Sequence, residues 1–147
     1  MNLKKEGWKN DFYFMDILDS SALICLLKKE PGHQQVATLL KGAGSTKQTV
    51  FICQINFTEV VYFLLKKYGG DTTLKTIAGL RSPFLGVSNY MDSDLAFYAA
   101  TLKSCYDLSL GDAMGLAFTK IMDGVFWTRD KDLAPIAGKE GIGLRLL

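Results

Sequence analysis

Asp19, Glu59, Asp112 and Asp130 each stand where a short apolar run gives way to a helix-like segment. One acid at such a junction is ordinary, because a carboxylate there can satisfy a free backbone N–H of the helix start. Four in one small α/β chain are expected to converge on a single sheet edge as an oxygen cage for Mg²⁺ or Mn²⁺. Such hard cations prefer oxygen ligands and keep several waters. Two of them, about 3.5–4 Å apart, can activate a water and stabilise the leaving oxygen of a phosphodiester. That chemistry needs neither histidine nor a covalent nucleophile.

The rest of the composition narrows the field. His33 is the only histidine and follows a Pro-Gly break, which excludes a Ser-His-Asp or Cys-His centre and any multi-histidine zinc site. Cys25, Cys53 and Cys105 are odd in number, widely spaced and set in apolar stretches, so buried free thiols in a reducing cytoplasm are expected. The apolar runs are too short to cross a membrane and no signal-peptide core is present. At 147 residues and 48% apolar the chain has the size of one domain with its own core. A net charge of +2 permits an RNA partner without arguing for one.

The elements that must position the acids follow from periodicity. Residues 1–14 are charged and aromatic without a clear period and read as a loosely attached or non-native extension; the domain is expected over 15–147. Met15–Leu18, Val50–Cys53, Phe84–Val87, Val125–Trp127 and Leu144–Leu146 are short apolar runs of strand type. Helices are expected over 20–29, from Pro31-Gly32 onward with Val36, Leu39 and Leu40 inward, and over the segment ended by Gly69-Gly70. Others are expected over 72–80, 92–104, 109–122 and 131–137, with 42–49 a loop. Apolar strands alternating with helices specify a parallel sheet covered on both faces, a three-layer α/β/α arrangement. In such a sheet ligands bind along the edge formed by the strand C-termini. Asp19 directly follows the first strand, Glu59 lies in the first turns of the helix after the second, and Asp130 follows the fourth by three residues. Asp112 enters from the same edge if the helix before it runs antiparallel to the strands.

Each acid also has a plain structural explanation. Asp19 and Asp130 could cap the helices that follow them, while Asn56–Glu59 and Ser109–Asp112 resemble capping boxes. Crowding all four, however, raises carboxylate pKa values and destabilises the fold unless a cation compensates.

Three segments together resemble the PIN-domain ribonucleases, especially VapC-type toxins of toxin–antitoxin modules. They are MDILDSSALICLLKKEPG, INFTEVVYFLLKKYG and DLAFYAATLKSCYDLSLGDAMGLAFTKIMDGVFWTRDKDL, and the likeness spans residues 15 to about 133. The resemblance implies a PIN-like fold with a short central parallel sheet. It places Asp19, Glu59, Asp112 and Asp130 at the family's acidic metal-site positions, with Ser20, Asn56 and Thr128 as supporting hydrogen-bonding groups. It further implies a Mg²⁺- or Mn²⁺-dependent cytoplasmic endoribonuclease acting on structured RNA such as a tRNA or a ribosomal loop. A homodimer and an antitoxin whose C-terminal segment occludes the site are implied as partners. Gly111 departs from the alanine common in the family; it is expected to loosen the helix start by about 1 kcal/mol and to leave the metal chemistry untouched.

Three other functions compete. A PIN nuclease of RNA processing would lack an antitoxin. A binding module would keep the fold with an incomplete acidic quartet, and here the quartet is intact. A receiver-type phosphate-transfer domain would need an N-terminal acidic pair and a late lysine, which Asp16, Asp19 and Lys131 imitate poorly.

Overall fold

The computed structural model describes residues 15–46, 48–80 and 85–147. The expected extension over 1–14 and the start of the third strand at Phe84 lie outside these residues. Five parallel strands run in the order β3-β2-β1-β4-β5: β1 (Asp16–Leu18), β2 (Val50–Cys53), β3 (Leu85–Ser88), β4 (Val125–Thr128) and β5 (Gly143–Leu146). Between them lie α1 (Ser20–Lys28), α2 (His33–Thr46), α3 (Gln54–Leu80), α4 (Ser93–Cys105), α5 (Leu110–Met122) and α6 (Leu133–Glu140).

Alternation along β1 splits the core between two faces. Ile17 points into a cluster with Phe126, Leu95, Leu102, Leu116 and Phe118, contributed by β4, α4 and α5. Leu18 points the other way, onto Leu23 of α1, Val36 of α2, Ile52 of β2 and Val60 and Leu64 of α3. Ile17 and Leu18 are both fully buried, each worth about 1.5–3 kcal/mol relative to exposure. The three-layer arrangement is as the sequence implies.

Chain breaks fall where the local chemistry puts them. Lys29 takes a left-handed conformation (φ 55°) and its N–H returns to Cys25 O and Leu26 O, closing α1 ahead of Pro31-Gly32. Gly69, at φ 76° and ψ 178°, interrupts α3 and separates the two helices expected there.

Two of the differences from the expected boundaries have a visible local cause. Residues 42–46 belong to α2 rather than a loop, because Ala43 continues the inward stripe of Val36 and is buried. The last helix begins at Leu133, not residue 131. The turn before it is held by Leu133 N–H donating to Asp130 O at 3.3 Å and Ala134 N–H donating to Lys131 O at 3.2 Å.

Candidate active site

Asp19 stands immediately past the C-terminal end of β1, the central strand of the sheet. Its N–H donates to Trp127 O of β4 at 2.9 Å, and its own backbone is extended (φ −72°, ψ 158°) immediately before α1. Although Asp19 holds the N-cap position, its side chain makes no cap bond. The carboxylate is turned instead to hydroxyls and an amide. Ser21 Oγ donates to Oδ2 at 2.6 Å and Thr128 Oγ1 to the same oxygen at 2.8 Å. Oδ1 accepts from Asn56 Nδ2 at 3.3 Å and Ser20 Oγ at 3.3 Å.

Asp19 is only 3% exposed. Burial pushes its pKa above the usual value, and the charges of Asp112 and Glu59 push it further, while the Ser21 and Thr128 hydrogen bonds pull it down.

Asn56 joins the remaining acids to this group. Helix α3 starts at Gln54, directly after β2, so Asn56 sits inside the helix and does not cap it. It is fully buried. Cys53 Sγ donates to its Oδ1 at 3.0 Å, which leaves the amide N–H groups facing Asp19 Oδ1, Glu59 Oε2 at 3.4 Å and Gly111 O at 3.2 Å. A neutral donor thus lies between two like charges.

Asp112 is placed by the start of α5. Ser109 Oγ accepts from Asp112 N–H at 3.0 Å and donates to Asp112 Oδ2 at 2.6 Å. The cap expected at Ser109 is real, and it coexists with an Asp112 charge that reaches Asp19. Asp130 follows β4 as expected, but Oδ1 accepts from Asp132 N–H at 2.9 Å in a local turn. Its own N–H donates to Thr128 Oγ1 at 3.0 Å. Thr128 therefore bridges the Asp130 turn to Asp19.

The expectation for Gly111 is corrected. A Cβ on this residue would stand 2.8 Å from Glu59 Cδ and 2.9 Å from Glu59 Oε2. The bare Cα is where the Glu59 carboxylate rests, so Gly111 does bear on the acidic group. One turn on, a Cβ at Gly115 would meet Phe126 Cζ at 2.6 Å, which brings α5 close to the sheet.

Sequence reasoning also missed Ser21, the shortest hydrogen bond to Asp19. Its hydroxyl accepts Arg129 N–H at 3.1 Å, which ties α1 to the segment after β4. The available signal was a second hydroxyl two residues after an N-cap acid. Arg129 is further anchored by an ion pair to Glu30, which also pairs with Lys28.

Among the described residues no three His, Cys, Asp or Glu side chains are gathered closely enough to hold a metal ion as they stand. Asp19, Glu59 and Asp112 are brought into one electrostatic group, and each is turned to neutral donors that moderate their repulsion. The donor set still fits a hard divalent cation. It is made of carboxylate oxygens, and a cation there would offset the burial and like-charge penalty on Asp19.

A small parallel α/β domain with acids at the C-terminal edge of its central strand is the class that fold and site define. The chain belongs to the PIN domain family, whose model matches residues 17–139. Among solved structures it is similar to a toxin–antitoxin complex from Klebsiella pneumoniae, at 24% identity and TM-score 0.64, covering 84% of this chain and 93% of that one. It is similar to VapBC2 from Rickettsia felis bound to a DNA fragment from its promoter, at 13% identity and TM-score 0.70, with 91% and 99% covered. DNA-bound VapBC from Salmonella typhimurium gives 18% identity and TM-score 0.67, with 90% and 98% covered. At these identities the likeness is one of fold. No curated protein matches the chain. No helix among the described residues is long and apolar enough to cross a membrane.

Proposed function

We propose that this protein is a Mg²⁺- or Mn²⁺-dependent endoribonuclease, the toxin of a toxin–antitoxin pair. The observation that carries the proposal is the buried Asp19 carboxylate, raised in pKa by its burial and by the charges of Asp112 and Glu59. Membership of the PIN family supports a nuclease, and the VapBC complexes among the similar structures support the toxin assignment and an antitoxin partner.

Asp19, Asp112 and Glu59 would hold the cation directly or through water, and Asp130, in the turn after β4, would complete the cage and orient a water or metal ligand. When bound, the cation supplies a polarised water and neutralises charge at the leaving oxygen of the scissile phosphate. Ser21 and Thr128 fix the orientation of Asp19, and Asn56 sets the relation of Asp19 to Glu59. Helices α1 and α3 begin directly after β1 and β2, so their N-termini add partial positive charge at the edge where an RNA phosphate docks. The substrate is a structured RNA such as a tRNA or a ribosomal loop. The working form is a cytoplasmic homodimer, controlled by an antitoxin segment that covers the acids.

The test is incubation of the purified chain with small-RNA and ribosomal-RNA pools in Mg²⁺, Mn²⁺ or EDTA, beside Asp112→Asn. Discrete fragments that require metal and vanish in the variant are expected. Equal cleavage by native chain and variant would overturn the assignment. Divalent binding without cleavage of any RNA would favour a binding module that keeps the fold alone.

A further inference from the structure

We propose that Gly111 is a positioning residue for Glu59, present because its missing side chain leaves the seat in which that carboxylate rests. Nothing in the backbone requires glycine there. Gly111 lies in the first turn of α5, and the glycines with positive φ among the described residues are Gly32, Gly69 and Gly141. Alanine would fit the same dihedrals and favour the helix. What a Cβ would displace is Glu59: the three atoms nearest to it would all belong to that carboxylate group.

The seat has a second wall. Asn56 Nδ2 donates both to Glu59 Oε2 and to the Gly111 carbonyl, so one buried amide ties the acid to the turn beneath it. Gly115, one turn further along α5, makes the contrast. A Cβ there would strike Phe126, a fully buried ring with no free direction to move. The obstacle at Gly111 is the tip of a flexible side chain. Gly111→Ala therefore keeps the fold and turns the Glu59 carboxylate out of its seat, away from the Asn56 amide that relates it to Asp19. Part of the stability of the first turn of α5 is given up to hold an acid in place, a stability–function conflict resolved at one residue. The consequence for metal rests on the nuclease proposal; the seating of Glu59 does not.

The test is a cycle of native chain, Gly111→Ala, Glu59→Ala and the double variant, read by melting in EDTA and by Mn²⁺ titration calorimetry. In metal-free protein Gly111→Ala is expected to move the midpoint by less than about 2 °C while Glu59 is present, and to raise it by roughly 2–4 °C once Glu59 is removed. Gly111→Ala should weaken Mn²⁺ binding about 10–100-fold with Glu59 present and less than roughly two-fold in Glu59→Ala. Equal melting shifts in the two backgrounds, or equal losses of affinity, would overturn the proposal. A native chain that binds no Mn²⁺ would instead sink the metal-dependent reading of the site, while the EDTA melting cycle still decides the seat.

Discussion

Asp16 opens β1 and Asp19 follows its last residue, so two aspartates mark opposite ends of one three-residue strand. Asp16 is half-buried and, among the described residues, accepts a hydrogen bond from Trp127 Nε1 at 2.8 Å. Asp19 is buried, takes bonds from Ser20, Ser21, Asn56 and Thr128, and feels the charges of Asp112 and Glu59. The difference comes from sheet polarity rather than residue type. At the C-terminal edge α1 and α3 begin where their strands stop, and α5 brings its first turn to the same edge. A carboxylate there is surrounded by hydroxyls, amides and other acids. At the opposite edge a carboxylate is held by the ring of one neighbour. The structural use of the side chain and its proposed catalytic use are thus separated by the length of one short strand.

The sharpest way to break this comparison is Asp19→Asn, which should abolish RNA cleavage while the fold persists, measured by fragment analysis beside circular dichroism. The same substitution has a stability signature. Because the folded pKa of Asp19 is raised above 3.8, the folded state favours its protonated form. The contribution of Asp19 to the stability of the metal-free protein therefore falls as pH rises from that value, and it is fully lost only above the folded pKa. In EDTA, Asp19→Asn should melt higher than the native chain at neutral pH, and the gap should close below pH 3.8. A variant that melts lower at neutral pH would contradict the electrostatic account.

Thr128→Val comes next. It removes a donor to Asp19 and leaves Asp130 N–H without its acceptor, which should cost roughly 1–3 kcal/mol in denaturant unfolding. It should also weaken Mn²⁺ binding about 10–100-fold, since supporting hydrogen bonds orient metal-ligating carboxylates. Ser21→Ala should be milder, near 1 kcal/mol, because Arg129 N–H is at an exposed residue and water can replace the lost hydroxyl. Asp16→Asn should be smallest, within about 0.5 kcal/mol and with unchanged cleavage, since an amide oxygen still accepts from Trp127. A large loss of cleavage from Asp16→Asn would erase the distinction between the two ends of β1.

Much of this organisation was legible in the sequence, because the same pattern creates both the strands and the helix starts that follow them. Asp19 was identifiable from its place after the first strand, and Asn56 and Thr128 through the family resemblance. Whether an acid caps a helix or faces a site was not, since that depends on a side-chain rotamer. Ser109 does cap α5, whereas Asp19 makes no cap bond and Asn56 lies inside its helix. Asp130 takes a turn bond as well as its place after β4. The contact of Gly111 with Glu59 was hidden for another reason: propensity describes a residue within its own helix, and the carboxylate that lies against it comes from α3. Residues 42–46 looked like a loop from their glycines, yet Ala43 facing the core keeps them helical.

The most direct test of the central claim is Mn²⁺ titration calorimetry on the native chain, Asp16→Asn and Asp19→Asn in parallel. The account requires binding by the native chain, equal binding by Asp16→Asn, and loss of binding by Asp19→Asn with the fold intact. Undiminished binding by Asp19→Asn would contradict it.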